Sequence, residues 1–292
     1  AYANSLDNPF VFDDLGAIVE NRDVRELLPL WRSPETSDHP ALNARPVVRL
    51  SLAVNYSLDG LTPAGYRAAN VLLHLVSGLL LFGLVRRVLA ESAAVARPPP
   101  QPLHFAFASA LLWLVHPLHN QCINYIVQRS ELLFGLFFLG MLYCLARYLC
   151  GHGTWWRTAA WTACALGMGA KEVMLLAPLI ACLFDRAFFA PSWHELWRRR
   201  RNLYLCLGLT WALPAMMLAS QPHGDSIGFA GATSSWTYLL NQAPVVVGYL
   251  GKAAWPHPLL LDYGFPRRLA PEDVWPAGLF LVLTAAIAFT TL

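Results

Sequence analysis

Two adjacent carboxylates, Asp13 and Asp14, lie in the first polar stretch of a chain that is otherwise strongly apolar. Holding two like charges side by side costs electrostatic energy, so such a pair usually has a partner or a task. A carboxylate within reach of a hydroxyl group can act as its general base. The alternative is a solvated loop with ordinary charges, and residues 4–24 alone leave both open. A divalent metal on the pair also stays open, although no further acidic ligand is obvious nearby.

Three cations in separate polar segments are candidates for binding a phosphate. Arg129, near the end of "HPLHNQCINYIVQRSEL", can grip a phosphate through two N–H groups at once. Lys171 in "GMGAKEVM" can neutralise it as a point charge, and Arg45 is the third choice. The alternatives are ion pairs: Arg129 with Glu131 or Glu172, and Lys171 with Glu172 or an acidic loop residue.

Other polar side chains occur at the ends of apolar runs, where ionisable groups are costly and usually mark paired sites or substrate paths. A histidine within an apolar run such as "NVLLHLV" is, taken alone, more often a hydrogen bonder that packs helices together. The residues that we expect to line a pocket with the acid pair are His74, His116, Glu172, Asp262 and Tyr263.

The composition indicates a membrane protein. Of 292 residues, 56% are hydrophobic and only 13% are charged, whereas soluble domains carry about 25% charged residues. The mean hydropathy is +0.43. These values exclude a water-soluble globule of this size and predict a polytopic membrane protein.

Eight apolar runs approach the length of about 20 residues that a membrane helix needs. We therefore predict an all-α bundle of about seven or eight helices, with residues 1–65 as a large first extracytoplasmic loop and residues 66–292 as the transmembrane bundle. Both ends of the chain are abrupt, so we expect a fragment that is cut at both ends. The runs lie at about 68–90, 103–118, 131–150, 155–170, 173–189, 203–220, 236–255 and from 275 onward.

The arginines predict the orientation. Three alternating loops, at 86–102, 147–157 and 185–202, carry ten arginines and only three acidic residues, which places them in the cytoplasm. The acid pair then faces the opposite side. Within the third loop, "WHELWRRRR" is expected to anchor against anionic lipids rather than bind nucleic acid. The segment 119–130 is too polar to face lipid, and we expect a helix lying at the interface or folded into the bundle.

The order of several motifs resembles a known family. "FVFDDLGAIVENRDV" is followed by "RPV", "GLTPAGYRAANVLLHL", "HPLHNQCINYIVQRSELL", "GAKEVMLLAPLIACLFD" and "PHPLLLDYGFP". This order, over residues 4–275, resembles the membrane part of the GT-C glycosyltransferases. The similarity is closest to the branch that includes the transmembrane and tetratricopeptide-repeat O-mannosyltransferases and their bacterial relatives.

The resemblance implies a multi-pass enzyme of the bacterial inner membrane, with its active site facing the extracytoplasmic side. Such enzymes transfer a sugar from a polyprenyl-phosphate carrier to an acceptor, which is a protein, glycan or lipid hydroxyl, and need no nucleic acid. The family's acidic residues, which follow its first membrane helix, fall on Asp13 and Asp14. The resemblance therefore implies that the first helix, preceding residue 1, is missing from this fragment. Two departures matter: Gln121 stands where some relatives carry Glu, and the tetratricopeptide repeats common in the family are absent from this chain.

The mechanism that follows is an inverting transfer with Asp13 as the base and Asp14 orienting the acceptor or holding Asp13 in place. Arg129 and Lys171, with Arg45 as third choice, neutralise the departing phosphate. A non-catalytic scaffold that binds lipid carriers and anchors a repeat domain is the main alternative. A transporter is a weaker one, because the charges cluster at the outer ends of the runs rather than at their middle.

Overall fold

The chain folds into helices joined by short turns. The computed structural model describes residues 2–29, 37–92, 99, 101–219, 235–260, 269 and 271–291, and these residues contain no strand, which confirms the all-α class. In chain order the helices are α1 Pro40–Asn43, α2 Pro46–Asp59, α3 Pro63–Glu91, α4 Pro102–Leu114, α5 Asn120–Asn124, α6 Arg129–Leu149, α7 Trp155–Met168, α8 Ala177–Phe188, α9 Trp193–Leu209, α10 Ala212–Ala219, α11 Ser235–Ala254 and α12 Pro271–Thr291.

Prolines set the start of three helices of the first half of the chain. The first residues of α2, α3 and α4 are Pro46, Pro63 and Pro102, respectively. A proline is suited to that position because its missing N–H would have no partner there and its fixed φ is already helical. Gly60 ends α2 with a φ of 57°, a conformation that costs other residues energy. The chain therefore turns sharply between α2 and α3.

Two helices of the described residues are long and apolar enough to cross a membrane. These are Pro63–Glu91, of 29 residues, and the stretch Ile126–Leu149, of 24 residues that begins with a helical turn before α6. At about 1.5 Å per residue both exceed the roughly 30 Å of a hydrocarbon core. The remaining predicted runs also form helices, but their crossing of a membrane, and the side on which each loop lies, stay predictions.

Two predicted helices differ from the structure. The run 203–220 is not one helix: α9 begins at Trp193, within the arginine-rich segment, and ends at Leu209, before α10 starts at Ala212. Pro214 explains the break, because it has no N–H to donate to the carbonyl four residues earlier. The segment 119–130 is likewise interrupted, since Tyr125 is extended (φ −91°, ψ 106°) between α5 and the turn Ile126–Gln128.

The described chain divides into two compact units, Ala1–Gln221 and Pro222–Leu292. The predicted boundary at residue 65 stays a prediction. In the first unit, α6 packs against α3 and α7. Its larger core joins buried side chains of α3 and α6–α9, such as Met141 and Leu207. A second core lies under the acid pair; its buried members are Ala17, Ile18, Val24, Leu42, Val48, Leu52, Tyr66, Ile126, Leu133 and Ala170.

Candidate active site

The two neighbouring carboxylates follow a left-handed residue, Phe12, and differ in their exposure to solvent. Phe12 has a φ of 49°, in the left-handed region that bulky residues rarely adopt. Asp13, next in the chain, is exposed, whereas Asp14 is 0% exposed. The pair predicted from the sequence is therefore one surface carboxylate and one interior carboxylate, and the two have different surroundings.

Asp14 joins the N-terminal segment to the start of the long stretch Ile126–Leu149. Its Oδ1 accepts a hydrogen bond from Val127 N at 2.8 Å, and its Oδ2 accepts one from Val11 N at 3.3 Å. Burial raises the pKa of Asp14, while the N–H groups of Val127, Val11 and Ile126 and the charge of Arg67 act in the opposite direction. The carboxylate thus caps N–H groups that a helix start leaves without partners.

Arg67, near the start of α3, holds the chain just before the acid pair. It is 2% exposed and donates to the carbonyl of Pro9 at 2.7 Å and to that of Asn8. It also donates to the carbonyl of Asn124 at 3.2 Å. One buried guanidinium therefore ties residues 8–9 to the end of α5. The sequence analysis missed this residue, although a cation at the edge of an apolar run was the available signal.

Asp13 contacts a tyrosine from the same distant segment. Its backbone N–H donates to the Tyr125 hydroxyl at 3.0 Å. Burial, followed by a hydrogen bond to the Asp13 side chain, raises the pKa of Tyr125 to about 12. The hydroxyl consequently keeps its proton at neutral pH and can donate it to the carboxylate in a hydrogen bond. This arrangement leaves the rest of the Asp13 carboxylate facing solvent.

The acid pair does not form a chelating site in this arrangement. Both Asp14 oxygens face backbone N–H groups, and only Asp13 points outward. Within the described ranges, no group of three or more His, Cys, Asp or Glu side chains could hold a metal ion. The donor set therefore does not fit a divalent metal shared by Asp13 and Asp14.

Arg129 lies inside the helix bundle rather than on a pocket wall. Its guanidinium is 1% exposed and packs 5.6 Å from the centre of the Tyr66 ring. Neither of the carboxylates proposed as alternative partners contacts it. Four hydrogen bonds engage it: to Asn70 Oδ1 (2.7 Å), Asn55 Oδ1 (2.5 Å), Ser51 O (3.1 Å) and Tyr66 O (2.8 Å). A donor engaged in this way has little capacity left for a phosphate, so the placement argues against that predicted role.

The other two candidate cations form ion pairs. Lys171 pairs with Glu131, and its side chain is 19% exposed. Arg45 pairs with Glu172 through three contacts of 3.1–3.2 Å, on a more open surface where the two side chains are 33% and 61% exposed. Exposed pairs of this kind contribute little free energy and can exchange partners.

A backbone contact brings these two pairs together. Val47 N, in the first turn of α2, donates to Gly169 O at 3.1 Å, just before Lys171. A Cβ on Gly169 would lie 2.8 Å from Val47 Cγ2, so glycine is required for this approach. Cys122 of α5 is near the same charges: burial and the charge of Glu131 raise its pKa to about 11, against the opposing charge of Lys171. The α5 region therefore borders both the acid pair and the Lys171 pair.

Three histidines and a tryptophan form a separate aromatic cluster. His74 is 1% exposed, stacks on Trp113 at 4.8 Å and lies 4.9 Å from His119. His74 Nε2 is 2.9 Å from the Leu114 carbonyl, so this nitrogen carries the proton. His116 Nδ1 accepts from Leu118 N, and its ring lies 6.4 Å from that of His119. The contacts of His74 fit the packing role that was its alternative.

Two predicted site residues, Asp262 and Tyr263, lie outside the described residues, so the proposed pocket is described only in part. Of the remaining residues, the structure places Asp13, Asp14 and Tyr125 in one contact network and Arg45, Glu172, Lys171 and Glu131 in two ion pairs. Tyr125 lies in the segment 119–130, for which the sequence predicts a helix but does not single out this tyrosine as a site residue. Its contact with the acid pair depends on the extended backbone that interrupts the helix, which spacing does not indicate.

Comparison with known proteins identifies animal relatives. The chain is 33% identical over 178 residues to Protein O-mannosyl-transferase Tmtc3 of Drosophila melanogaster. The aligned region covers 54% of this chain and 19% of the relative. It is 34% identical over 151 residues to Protein O-mannosyl-transferase TMTC4 of Homo sapiens, and the aligned region covers 47% of this chain and 20% of that relative. It is 26% identical over 309 residues to Protein O-mannosyl-transferase Tmtc1 of Drosophila melanogaster, and the aligned region covers 94% of this chain and 34% of that relative.

These similarities confirm the predicted resemblance to the transmembrane and tetratricopeptide-repeat O-mannosyltransferase branch of the GT-C glycosyltransferases. The chain spans from about a fifth to a third of the length of the three relatives named above. No family model matches it. No solved structure matches it either. The resemblance to bacterial relatives and the bacterial inner membrane stay predictions.

Proposed function

We propose that this chain is the membrane part of a glycosyltransferase. It transfers a sugar, mannose by analogy with the names of its relatives, from a polyprenyl-phosphate donor to a protein hydroxyl on the extracytoplasmic side of the membrane. The similarity to protein O-mannosyl-transferases supports the class of reaction. One structural observation carries the assignment of the site: of two adjacent carboxylates, Asp14 is buried and anchored while Asp13 is exposed beside a tyrosine hydroxyl.

In this proposal Asp13 is the general base. Its carboxylate takes the proton of the acceptor hydroxyl, the acceptor oxygen forms a bond to the anomeric carbon, and the bond from that carbon to the phosphate oxygen breaks. The phosphate leaves with the electron pair, and the configuration at the anomeric carbon inverts. Asp14 does not touch the reactants; it fixes the backbone that presents Asp13. Tyr125 fixes the same turn, because its hydroxyl accepts a hydrogen bond from the Asp13 backbone N–H.

Arg45 and Lys171 are the cations we propose for the donor phosphate. Both now pair with carboxylates. The donor phosphodiester carries one negative charge, like Glu172, but the departing phosphate monoester carries up to two and can replace Glu172 at the exposed Arg45 as the transfer proceeds. Arg45 therefore moves from third to first choice. Arg129 supports this site indirectly, because it fixes α2 and α3 relative to α6 through Ser51, Asn55 and Tyr66.

The test uses the full-length protein and a mannosyl polyprenyl phosphate donor. Asp13→Asn keeps the size of the side chain but removes the base, so we expect the transfer rate to fall by about a hundredfold or more. Asp7→Asn is the matched control, because Asp7 is an exposed aspartate of the same segment. Transfer by Asp13→Asn at the wild-type rate would rule out the assignment.

A second candidate is a scaffold that binds lipid-linked sugars without chemistry. The observation in its favour is that Arg45, Lys171 and Arg129 are all engaged by protein groups. Arg45→Gln separates the two candidates when donor binding and turnover are both measured. An enzyme loses both together, with about a tenfold weaker donor affinity for one lost charged contact. A scaffold loses binding but shows no donor-dependent transfer in the wild type.

A further inference from the structure

The first half of α9 carries a concentrated positive charge that the proposed reaction does not use. Four consecutive arginines, 198–201, share two carboxylates. Glu195 pairs with both Arg198 and Arg199, and the buried Asp185 of α8 pairs with Arg200. The side chains of Arg198 and Arg199 remain 62% and 67% exposed. The surface is therefore positively charged even after its ion pairs are counted.

The orientation of α9 is fixed by buried contacts on its other side. The Asp185 carboxylate, which is 0% exposed, accepts a hydrogen bond from the Tyr204 hydroxyl at 2.5 Å in addition to the Arg200 contact. Leu196, Leu203 and Leu207 are buried in the larger core. Since these residues face inward, Arg198 and Arg201 face outward. The exposed arginines are thus held on one defined face.

That outward face changes from charged and aromatic to apolar along the helix. Residues at four-residue spacing form one exposed ridge, Trp193, Trp197, Arg201, Leu205 and Leu209, with Leu205 59% and Leu209 68% exposed. Positions four apart lie on the same face of a helix. Arg201 and Leu209 are separated by about 12 Å along the axis, at about 1.5 Å per residue. Aromatic and basic groups followed by leucines match the passage from lipid headgroups to acyl chains.

An open cleft of about 580 Å³ lies at the charged end of this ridge. Its lining offers guanidinium, imidazole and carboxamide groups with an indole ring, a set suited to a phosphate next to a hydrocarbon boundary. The lining residues are His194, Trp197, Arg198, Arg199, Arg201 and Asn202.

We propose that this cleft binds the headgroup of an anionic phospholipid. Arg198 and Arg201 contact the phosphate, and an acyl chain lies along Leu205 and Leu209. The shared chemistry is that of any phosphate, but the apolar continuation of the ridge favours a lipid over free phosphate or nucleic acid. The site is separate from the acid pair and does not depend on the proposed transfer reaction.

The test measures lipid bound to the purified full-length protein by native mass spectrometry, with equal amounts of phosphatidylglycerol and phosphatidylcholine of matched chains. We expect the wild type to prefer phosphatidylglycerol, and R198Q/R201Q to lower its retention by about tenfold. R198K/R201K keeps the charge and should restore most of the binding, which excludes misfolding as the cause. R86Q/R157Q, which removes two exposed arginines from the other basic loops, is the matched control and should stay within about twofold of the wild type.

Three outcomes would overturn the proposal. The first is an equal loss of phosphatidylglycerol in R86Q/R157Q, which would mean attraction by bulk charge. The second is wild-type retention in R198Q/R201Q. The third is tight binding of inorganic phosphate, or of a labelled oligonucleotide, that R198Q/R201Q abolishes while lipid retention is unchanged.

Discussion

The backbone N–H of Asp13 donates a hydrogen bond of 3.0 Å to the hydroxyl of Tyr125, 112 positions later in the chain. The neighbouring Phe12 packs edge-on against the same tyrosine ring, with 6.3 Å between centroids. One residue further, Asp14 binds the N–H of Val127. Three consecutive residues thus dock on the turn between α5 and α6, and this docking determines where the exposed carboxylate is presented.

Tyr125→Phe should lower the rate of transfer without unfolding the protein. The ring still packs against Phe12, but the hydroxyl that contacts Asp13 is lost. Because the lost contact is a neutral hydrogen bond to the Asp13 backbone N–H, which contributes about 0.5–1.5 kcal/mol, we expect kcat to fall by about two- to tenfold while the donor KM changes little. Steady-state kinetics and the thermal unfolding temperature provide the measurement. Tyr238→Phe, at an exposed tyrosine, is the control. An unchanged kcat would remove Tyr125 from the site.

Asp14→Ala should destabilise the folded protein. The change leaves the N–H groups of Val11 and Val127 without their acceptor, at a cost of about 2 kcal/mol. Asp14→Asn should cost less, because its amide oxygen still accepts one of the two hydrogen bonds. Thermal unfolding in detergent measures both, and Asp7→Ala at an exposed position should stay within about 0.5 kcal/mol of the wild type. Equal stabilities of Asp14→Ala and Asp7→Ala would contradict the anchoring role.

The sequence was sufficient to predict the class of fold because hydropathy alone identifies apolar helices. Each predicted run contains a helix among the described residues, and α3 has the length of a membrane span. The break between Leu209 and Ala212 was not predicted, although Pro214 was a visible signal for it. Composition shows how apolar a run is. Whether the run forms one continuous helix depends on individual backbone N–H donors, and proline lacks one.

The candidate site was predictable only as a set of residue types. The sequence shows that Asp13 and Asp14 are adjacent but not that only the second is buried, against the backbone of Val127. It shows the charge of Arg129 but not its acceptors, which lie between 59 and 78 positions away in α2 and α3. Burial and partner choice depend on tertiary contacts, and a single sequence carries no record of them.

Arg129→Ala should unfold the protein rather than weaken donor binding selectively. The buried guanidinium satisfies acceptors of Ser51, Asn55, Tyr66 and Asn70, and their loss should cost at least about 3 kcal/mol. Arg129→Lys keeps the charge but cannot reach four acceptors in different directions, so it should be intermediate. The folded fraction after size-exclusion chromatography and the unfolding temperature are the measurements, with Arg157→Ala at an exposed site as control. A stable Arg129→Ala variant with a raised donor KM would restore the phosphate-binding role predicted from the sequence.

The aromatic cluster predicts a loss of stability on mild acidification. Burial, together with the nearby His74 and His116, lowers the pKa of His119 to about 4. The unfolded chain, with a histidine pKa of about 6.5, then binds the proton more readily than the folded one. The stability that the neutral His119 contributes is complete above about pH 6.5 and is lost as the pH falls toward about 4.

His119→Gln removes this titration while keeping a side chain of similar polarity. The unfolding temperature, measured at intervals between about pH 7 and 4.5, should fall less steeply for His119→Gln than for the wild type. His104→Gln is the matched control, because His104 is an exposed histidine at the start of α4 and should leave the slope unchanged. Parallel pH profiles for the wild type and His119→Gln would show that His119 is not the group whose protonation destabilises the fold.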